Sequence, residues 1–346
     1  MSDSQQIDIP ELTEVREAHR FDEAALAYYL NDHIDDDFDS MHLRQFEGGQ
    51  SNPTYCLDTA DRQYVLRKKP PGELLKSAHQ IDREYRVMHA LRDTDVPVPK
   101  MYCLCEDASV IGQDFYVMQH VEGRVIVDPR LPNVAREDRK PLYDHLMQVL
   151  AALHCVNRES VGLGDFGRPG NYYERQISRW SKQYKLSETE TIDEMDALIE
   201  WFPANIPQSD ETTIVHGDFR VGNMIVHPTE PRVMAVLDWE LATSGHPLGD
   251  LGYNCSMYYG ENAVDVEETG LYTEHELVDM YCRFANREPI ENWPFYIIYN
   301  LFRSAAIVQG VYKRGLDGNA SSETWREREH QCRDQAELAW SQVEKL

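Results

Sequence analysis

The sequence predicts an α+β fold of two lobes, β-rich at its N-terminal end and mostly helical beyond it. Between residues 41 and 67, strand-length runs alternate with turn residues. From about residue 136, apolar residues recur at helical spacing. This helical part is interrupted once, by β-rich runs at 214–215, 224–226 and 233–237. Strands and helices segregated along the chain indicate α+β rather than an alternating parallel-sheet architecture, and 346 residues are enough to bury two cores.

Residues 1–20 are polar and acidic without clear periodicity and read as a loose arm. A helix is expected after Phe21, where Ala25, Leu26, Tyr29 and Leu30 form a stripe. Strands follow at 43–46, 54–57 and 64–67, with Gly48-Gly49 and Asp61-Arg62 at the bends and Pro70-Pro71-Gly72 closing the meander. Residues 81–91 predict a helix, with Ile81, Tyr85, Met88 and Leu91 on its apolar face. Val96-Pro97-Val98-Pro99 must be extended, because each residue before a proline is pushed out of the α region. Strands at 100–104, 115–119 and 121–127 complete the first part, and the joint between lobes is expected near 119–122. Helices are expected at 136–156, 171–184, 190–202, 273–286, 293–313 and 322–344.

Composition narrows the function classes. The formal net charge is −26, and residues 1–40 alone carry 12 acids against 2 bases. A nucleic acid is therefore a poor partner, since phosphate neutralisation needs a basic face. Only residues 41–100 lean basic, with 10 bases against 8 acids. The start of the chain has no basic, apolar signal pattern, and no apolar run approaches membrane-spanning length. Seven scattered cysteines, without paired metal-ligand spacing, read as reduced thiols. A cytoplasmic protein without membrane or nucleic-acid partners is expected.

The densest chemistry lies at His216-Gly217-Asp218-Phe219-Arg220-Val221-Gly222-Asn223, followed fifteen residues after Asn223 by Asp238. The H-x-D-x-x-x-x-N spacing puts an aspartate and an asparagine on one tight loop, and a hairpin through 227–231 can return Asp238 beside it. Asn223 and Asp238 offer two oxygen donors, a set that suits Mg²⁺ also held by substrate phosphates. Asp218 is then left to orient or accept the proton of an attacking hydroxyl. Phosphoryl transfer from ATP requires this layout.

With these motifs in order, the chain resembles the aminoglycoside phosphotransferase (APH) family of small-molecule kinases, which has a protein-kinase-like fold. It is most similar to the branch found fused ahead of acyl-CoA dehydrogenase domains. The motifs are Gly48-Gly49-Gln50-Ser51-Asn52-Pro53-Thr54-Tyr55, the run from Tyr64 to Gly72, Asp82-Arg83-Glu84-Tyr85, Val96-Pro97-Val98-Pro99, the His216–Asn223 loop, Asp238-Trp239-Glu240 and His246-Pro247-Leu248-Gly249-Asp250-Leu251.

The resemblance implies a nucleotide-binding lobe over 21–120 and a catalytic and substrate-binding lobe over 121–346. Ser51 would contact phosphate from a turn lacking the full G-x-G-x-x-G pattern. Arg67 would stand where protein kinases carry the strand lysine, and Glu84 would pair with it. Gln119 and Val121 would belong to the hinge that hydrogen-bonds adenine. Asp218 would be the catalytic base and Asn223 and Asp238 the Mg²⁺ ligands, while His216 and Asp250 would brace the loop. Arg220 is open between γ-phosphate and an internal salt bridge, and Asn52 between phosphate and a turn-forming role. The implied activity is ATP- and Mg²⁺-dependent transfer to a hydroxyl of a small molecule. The fused branch points to a hydroxyacyl acceptor, whereas the acidic C-terminal half on its own suits a cationic one. Two further readings remain at this level: a nucleotide-binding pseudokinase or partner-binding module, and a metallohydrolase built on His216, Asp218, His227, Asp238, His246 and Asp250.

Overall fold

The computed structural model describes residues 11–47, 52–70, 80–209, 211–318 and 323–346. In chain order the elements are β1 (Leu12–Thr13), α1 (Glu23–His33), β2 (His42–Phe46), β3 (Thr54–Asp58), β4 (Gln63–Lys68), α2 (Ile81–Leu91), β5 (Met101–Cys105), α3 (Ala108–Ile111), β6 (Phe115–Gln119), β7 (Arg124–Val125) and α4 (Arg136–Cys155). They continue with α5 (Tyr172–Ser187), α6 (Asp193–Asn205), β8 (Thr213–Val215), β9 (Met224–Val226), β10 (Val233–Val236), β11 (Thr243–Gly245), α7 (Leu248–Cys255), α8 (Val266–Thr269), α9 (Glu274–Phe284), α10 (Trp293–Leu316) and α11 (Gln331–Val343). The fold is thus sheet-rich at its N-terminal end and helical towards its C-terminal end. The chain divides into two compact units. The first comprises 1–149, 159–164 and 221–242; the second comprises 150–158, 165–220 and 243–346.

In the first unit an antiparallel sheet runs β1-β2-β3-β4-β6-β5. Its period-two alternation gives it two different faces. Tyr55, Leu57, Tyr64, Leu66, Phe115 and Val117 point to one side, where Leu26 and Leu30 of α1 complete a core. Asp22 starts α1 by accepting the Ala25 N–H at 2.9 Å, which satisfies an N-terminal donor of the helix. Thr54, Val65, Arg67, Tyr116 and Met118 instead line a cavity of about 370 Å³. The register makes this face coherent, because Arg67 lies directly opposite Thr54 on β3 and Tyr116 on β6. A second, three-stranded sheet, β10-β9-β7, supplies Val125, Met224 and Ile225 to the same cavity. Gly123 belongs to its wall, where a Cβ would lie 2.4 Å from both Ile225 Cγ2 and the Val226 carbonyl oxygen. No side chain fits there without moving β9.

The second unit holds the β8-β11 pair and the helices from α5 onward. Its longest helix, α10, is buried along most of its length.

Several expectations need correction. Residues 12–19 are not a loose arm: β1 pairs with β2, the Gln45 amide oxygen accepts the Arg16 N–H, and the Tyr55 hydroxyl donates to the His19 carbonyl. The strand expected over 121–127 shrinks to Arg124–Val125. The helix expected over 322–344 is a short 3-10 segment, Glu323–Arg328, followed by α11. On α2 the stripe runs through Ile81, Glu84, Val87, Met88 and Leu91, while Tyr85 is half-buried and stacks on His89. The cysteines are all free thiols, and only Cys155 is exposed.

Candidate active site

The cavity of the first unit is centred on a buried guanidinium. Arg67 Nε lies 3.2 Å from Glu84 Oε2, and its Nη2 donates to Asp238 Oδ1 at 3.1 Å. The β4 period and the α2 stripe produce this meeting. Arg67 occupies the cavity face between the β3 and β6 partners, and Glu84 occupies an otherwise apolar helix position three residues after Ile81. The neighbouring lysines are otherwise engaged. Lys68 points to the opposite face of the sheet over the Phe21 ring, and Lys69 pairs with Asp114 at 2.5 Å.

Glu84 is only 1 % exposed, and both of its oxygens accept hydrogen bonds. Its Oε1 accepts from Asn52 Nδ2 at 3.1 Å, and its Oε2 accepts from the Tyr116 hydroxyl at 3.0 Å. Burial pushes its carboxyl up to about 7, with Arg67 the strongest influence in the opposite direction. Burial also opposes the charge on Arg67, but Glu84, Tyr116 and Asp238 outweigh it and hold the guanidinium more firmly protonated than an ordinary arginine. Tyr116→Phe removes one hydrogen bond to a buried charge-bearing group. It is expected to cost about 1.5 kcal/mol of stability, measured by urea denaturation, without altering the surrounding sheet.

Asn223 ends a 3-10 turn, Val221–Asn223, and its carbonyl accepts the Leu237 N–H at 2.8 Å. This bond ties the two ends of the β9-β10 hairpin, so Asn223 and Asp238 line the same cavity. Asp238 adopts a left-handed conformation, φ +64°, which aspartate tolerates better than most residues. Among the described residues no cluster of three His, Cys, Asp or Glu side chains exists that would form an all-protein metal cage. One amide and one carboxylate fit instead a hard, partly hydrated cation that shares its remaining positions with phosphate oxygens. Gln119, exposed at the end of β6 with its side-chain oxygen accepting the Lys100 N–H at 3.3 Å, lines the cavity together with Val121. Ser51 lies outside the described residues.

The loop of the second unit is held by other means. Asp250, in the first turn of α7, accepts the backbone N–H of His216 at 2.6 Å and of Gly217 at 2.8 Å. His154 stands 3.4 Å from the same carboxylate and reaches the Tyr281 hydroxyl at 2.8 Å through its other nitrogen. Burial opposes ionisation of Asp250, but His154 and then His216, through its ring and its backbone N–H, outweigh it and lower its pKa. The stabilisation from that lowered pKa is present above the ordinary 3.8 and is lost as pH falls through the folded value. Asp250→Ala strands two buried N–H groups and is expected to cost about 3 kcal/mol, read as a lower melting temperature near neutral pH.

His216 is fully buried, and its Nδ1 accepts the Asp218 N–H at 3.2 Å. Arg220 Nε lies 3.4 Å from the Asp218 carboxylate, so the internal ion pair is the arrangement found. His227, whose ring accepts N–H groups of its own turn, and His246, which stacks on Tyr296, form no metal cluster with their described neighbours.

Sequence reasoning missed Tyr116 as a partner of Glu84, and it left Asn52 undecided although its side chain is committed to that carboxylate. Tyr116 was detectable in principle from the β4-β6 register, which is not written in β4 alone.

An ion-paired cation on a strand, a buried acid on the next helix, and an Asn/Asp pair on a hairpin define the frame of a kinase-like phosphotransferase. Comparison with known proteins agrees. The chain belongs to the phosphotransferase enzyme family (APH), whose sequence profile matches residues 42–281. It is 47 % identical over 309 residues to acyl-CoA dehydrogenase family member 10 of Mus musculus, covering 87 % of this chain and 29 % of that protein. It is 43 % identical over 326 residues to acyl-CoA dehydrogenase family member 11 of Homo sapiens, covering 90 % of this chain and 42 % of that protein. The chain therefore spans less than half the length of these relatives. Among solved structures, a Ralstonia eutropha protein described as a candidate aminoglycoside phosphotransferase matches with a TM-score of 0.87 at 46 % identity, covering 94 % of this chain and 99 % of that one. A ternary complex of aminoglycoside phosphotransferase APH(4)-Ia with AMP-PNP and hygromycin B matches in fold alone, with a TM-score of 0.60 at 15 % identity over 92 % of this chain and 98 % of that one.

Proposed function

We propose that this chain transfers the γ-phosphoryl group of ATP, with Mg²⁺, to a hydroxyl of a small molecule, and that the acceptor is a hydroxyacyl compound. The observation that carries the reading is the Arg67–Glu84–Asp238 chain on a cavity that Asn223 also lines. A guanidinium fixed from behind by a buried carboxylate presents its remaining donors to phosphate oxygens in a set direction. The apolar surface above it, from Val65, Met118, Val121 and Met224, suits a flat base. Asn223 and Asp238 would hold Mg²⁺, which when bound neutralises phosphate charge and orients the transferring group.

Asp218 would align the acceptor hydroxyl and take its proton as the new oxygen–phosphorus bond forms and the bond to the ADP oxygen breaks. His216 and Asp250 would fix the loop that presents Asp218, and Ser51 would add a phosphate contact. The acyl acceptor is supported by the names of the long relatives, which are acyl-CoA dehydrogenases. We also propose a cytoplasmic location; no helix among the described residues is long and apolar enough to cross a membrane.

The test is ADP formation from MgATP across a panel of hydroxyacyl-CoA thioesters, free hydroxy acids, amino alcohols and aminoglycosides. Acceptor-dependent ADP release with hydroxyacyl compounds supports the proposal. Tight MgATP binding with no acceptor-dependent turnover would favour the pseudokinase reading.

A further inference from the structure

Arg303 is the one charged residue in the apolar run 294–312 of α10, and it is 8 % exposed. Its Nη2 donates to the Gly217 carbonyl at 2.5 Å. The guanidinium carbon lies 5.7 Å from the Trp180 ring centroid and 5.4 Å from that of Tyr253. Placing a charge here is expensive unless its position is used, and the carbonyl it holds belongs to the residue immediately before Asp218.

The loop is clamped on both sides of that peptide group. Asp250 takes the N–H of Gly217, Arg303 gives to its C=O, and His216 Nδ1 takes the N–H of Asp218. Gly217 sits at φ +83°, a conformation that other residues resist. Its carbonyl direction is therefore not set by local backbone preference and needs an external partner. Trp180 and Tyr253 wall the guanidinium, so the partner is itself rigid. Tyr253 also faces the Asp218 carboxylate within hydrogen-bonding reach, so the ring that packs on Arg303 borders the proposed base.

We propose that Arg303 is a positioning residue: by holding the Gly217 carbonyl from α10 it fixes the orientation of Asp218. This rests on the assignment of Asp218 as base, but its structural half stands apart from that assignment. A guanidinium with several parallel donors can keep this bond while stacked between rings; a single ammonium donor holds it less firmly.

The experiment compares wild type, Arg303→Lys and Arg303→Ala by two readouts. Hydrogen exchange followed by mass spectrometry should show at least tenfold faster exchange in peptides covering 214–220 of Arg303→Ala. Peptides covering 81–91 should remain unchanged. Hydrolysis of MgATP with water as acceptor should fall at least tenfold in kcat with KM for MgATP within twofold of wild type. Arg303→Lys should lie between the two, and added guanidinium chloride at millimolar concentration should restore part of the Arg303→Ala rate. Unchanged exchange over 214–220 would overturn the proposal whatever the activity. Faster exchange throughout the second unit, or no rescue by guanidinium, would reduce Arg303 to ordinary packing and also overturn it. A wild-type protein that neither hydrolyses nor transfers phosphate would refute the functional reading, while the exchange result would still decide the clamp. If Arg303→Ala fails to fold, Arg303→Lys carries both measurements.

Discussion

Replacing Asp218 by asparagine is expected to lower phosphoryl transfer by about 10²–10⁴-fold, the range associated with a positioned general base. The substitution keeps the side-chain size but removes proton affinity, so MgATP binding should remain within a few-fold of wild type. Melting temperature should change little, because the loop is held mainly through backbone groups by Asp250, His216 and Arg303, and an asparagine oxygen can still accept from Arg220. Initial rates with the best acceptor, and MgATP titration by calorimetry, separate these effects. A matching loss of nucleotide affinity would mean that Asp218 acts through the nucleotide site instead.

The second large effect is expected at Glu84. Glu84→Ala leaves the Arg67 guanidinium with Asp238 as its remaining carboxylate and removes the carboxylate that the Asn52 amide and the Tyr116 hydroxyl donate to. A loss of about 3 kcal/mol is expected for breaking a buried pair from one side, together with at least tenfold weaker MgATP binding. Glu84→Gln preserves the shape and isolates the titration. The folded carboxyl is raised from 4.5 to about 7, by burial first, so the folded state retains a proton that the unfolded chain has already released. Its contribution is therefore fully present below 4.5 and is lost as pH rises through about 7. Melting temperature measured between pH 4.5 and 8 should fall with pH in wild type more steeply than in Glu84→Gln. Equal slopes would show that Glu84 is ionised throughout that range.

Much of this frame is legible in the chain because it follows local periodicity. The α2 boundaries, 81–91, come directly from its apolar spacing, and β4 is bounded by turn residues within one or two positions. The meeting of Arg67 with Glu84, expected from the family resemblance, is present at 3.2 Å. What escapes is whatever depends on partners distant in sequence. The pairing of Glu84 is expected, but its two further partners, Asn52 and Tyr116, are not. Asn52 looks like a turn residue until its amide is seen on Glu84, thirty-two residues away. Residues 12–19 lack periodicity because they are held by single bonds to Gln45 and Tyr55 and by a two-residue strand, too short to leave a pattern. Residues 248–255 form a buried helix that the motif His246–Leu251 conceals, since glycines at 249 and 252 lower its helix propensity. Gly252 is required there, because a Cβ would come 2.7 Å from Asn300 Nδ2 and 2.9 Å from the Tyr296 carbonyl oxygen.

The charge distribution gains a location from the structure. The segment 41–100, alone in leaning basic, supplies Arg67 to the cavity, and its other cations are largely engaged elsewhere: Arg44 on Asp58, Lys69 on Asp114, Lys68 over Phe21. One guanidinium, not a diffuse basic field, would then carry the phosphate interaction. Raising salt should weaken MgATP binding only modestly, since a buried, bridged cation is poorly screened.

Phosphorus-31 NMR of a reaction containing the wild-type chain, MgATP and a hydroxyacyl acceptor tests the central claim most directly. The account predicts a new phosphate monoester resonance, coupled to the carbinol proton of the acceptor and growing in step with ADP. Formation of ADP and inorganic phosphate alone with every acceptor class, or of AMP and pyrophosphate, would contradict it.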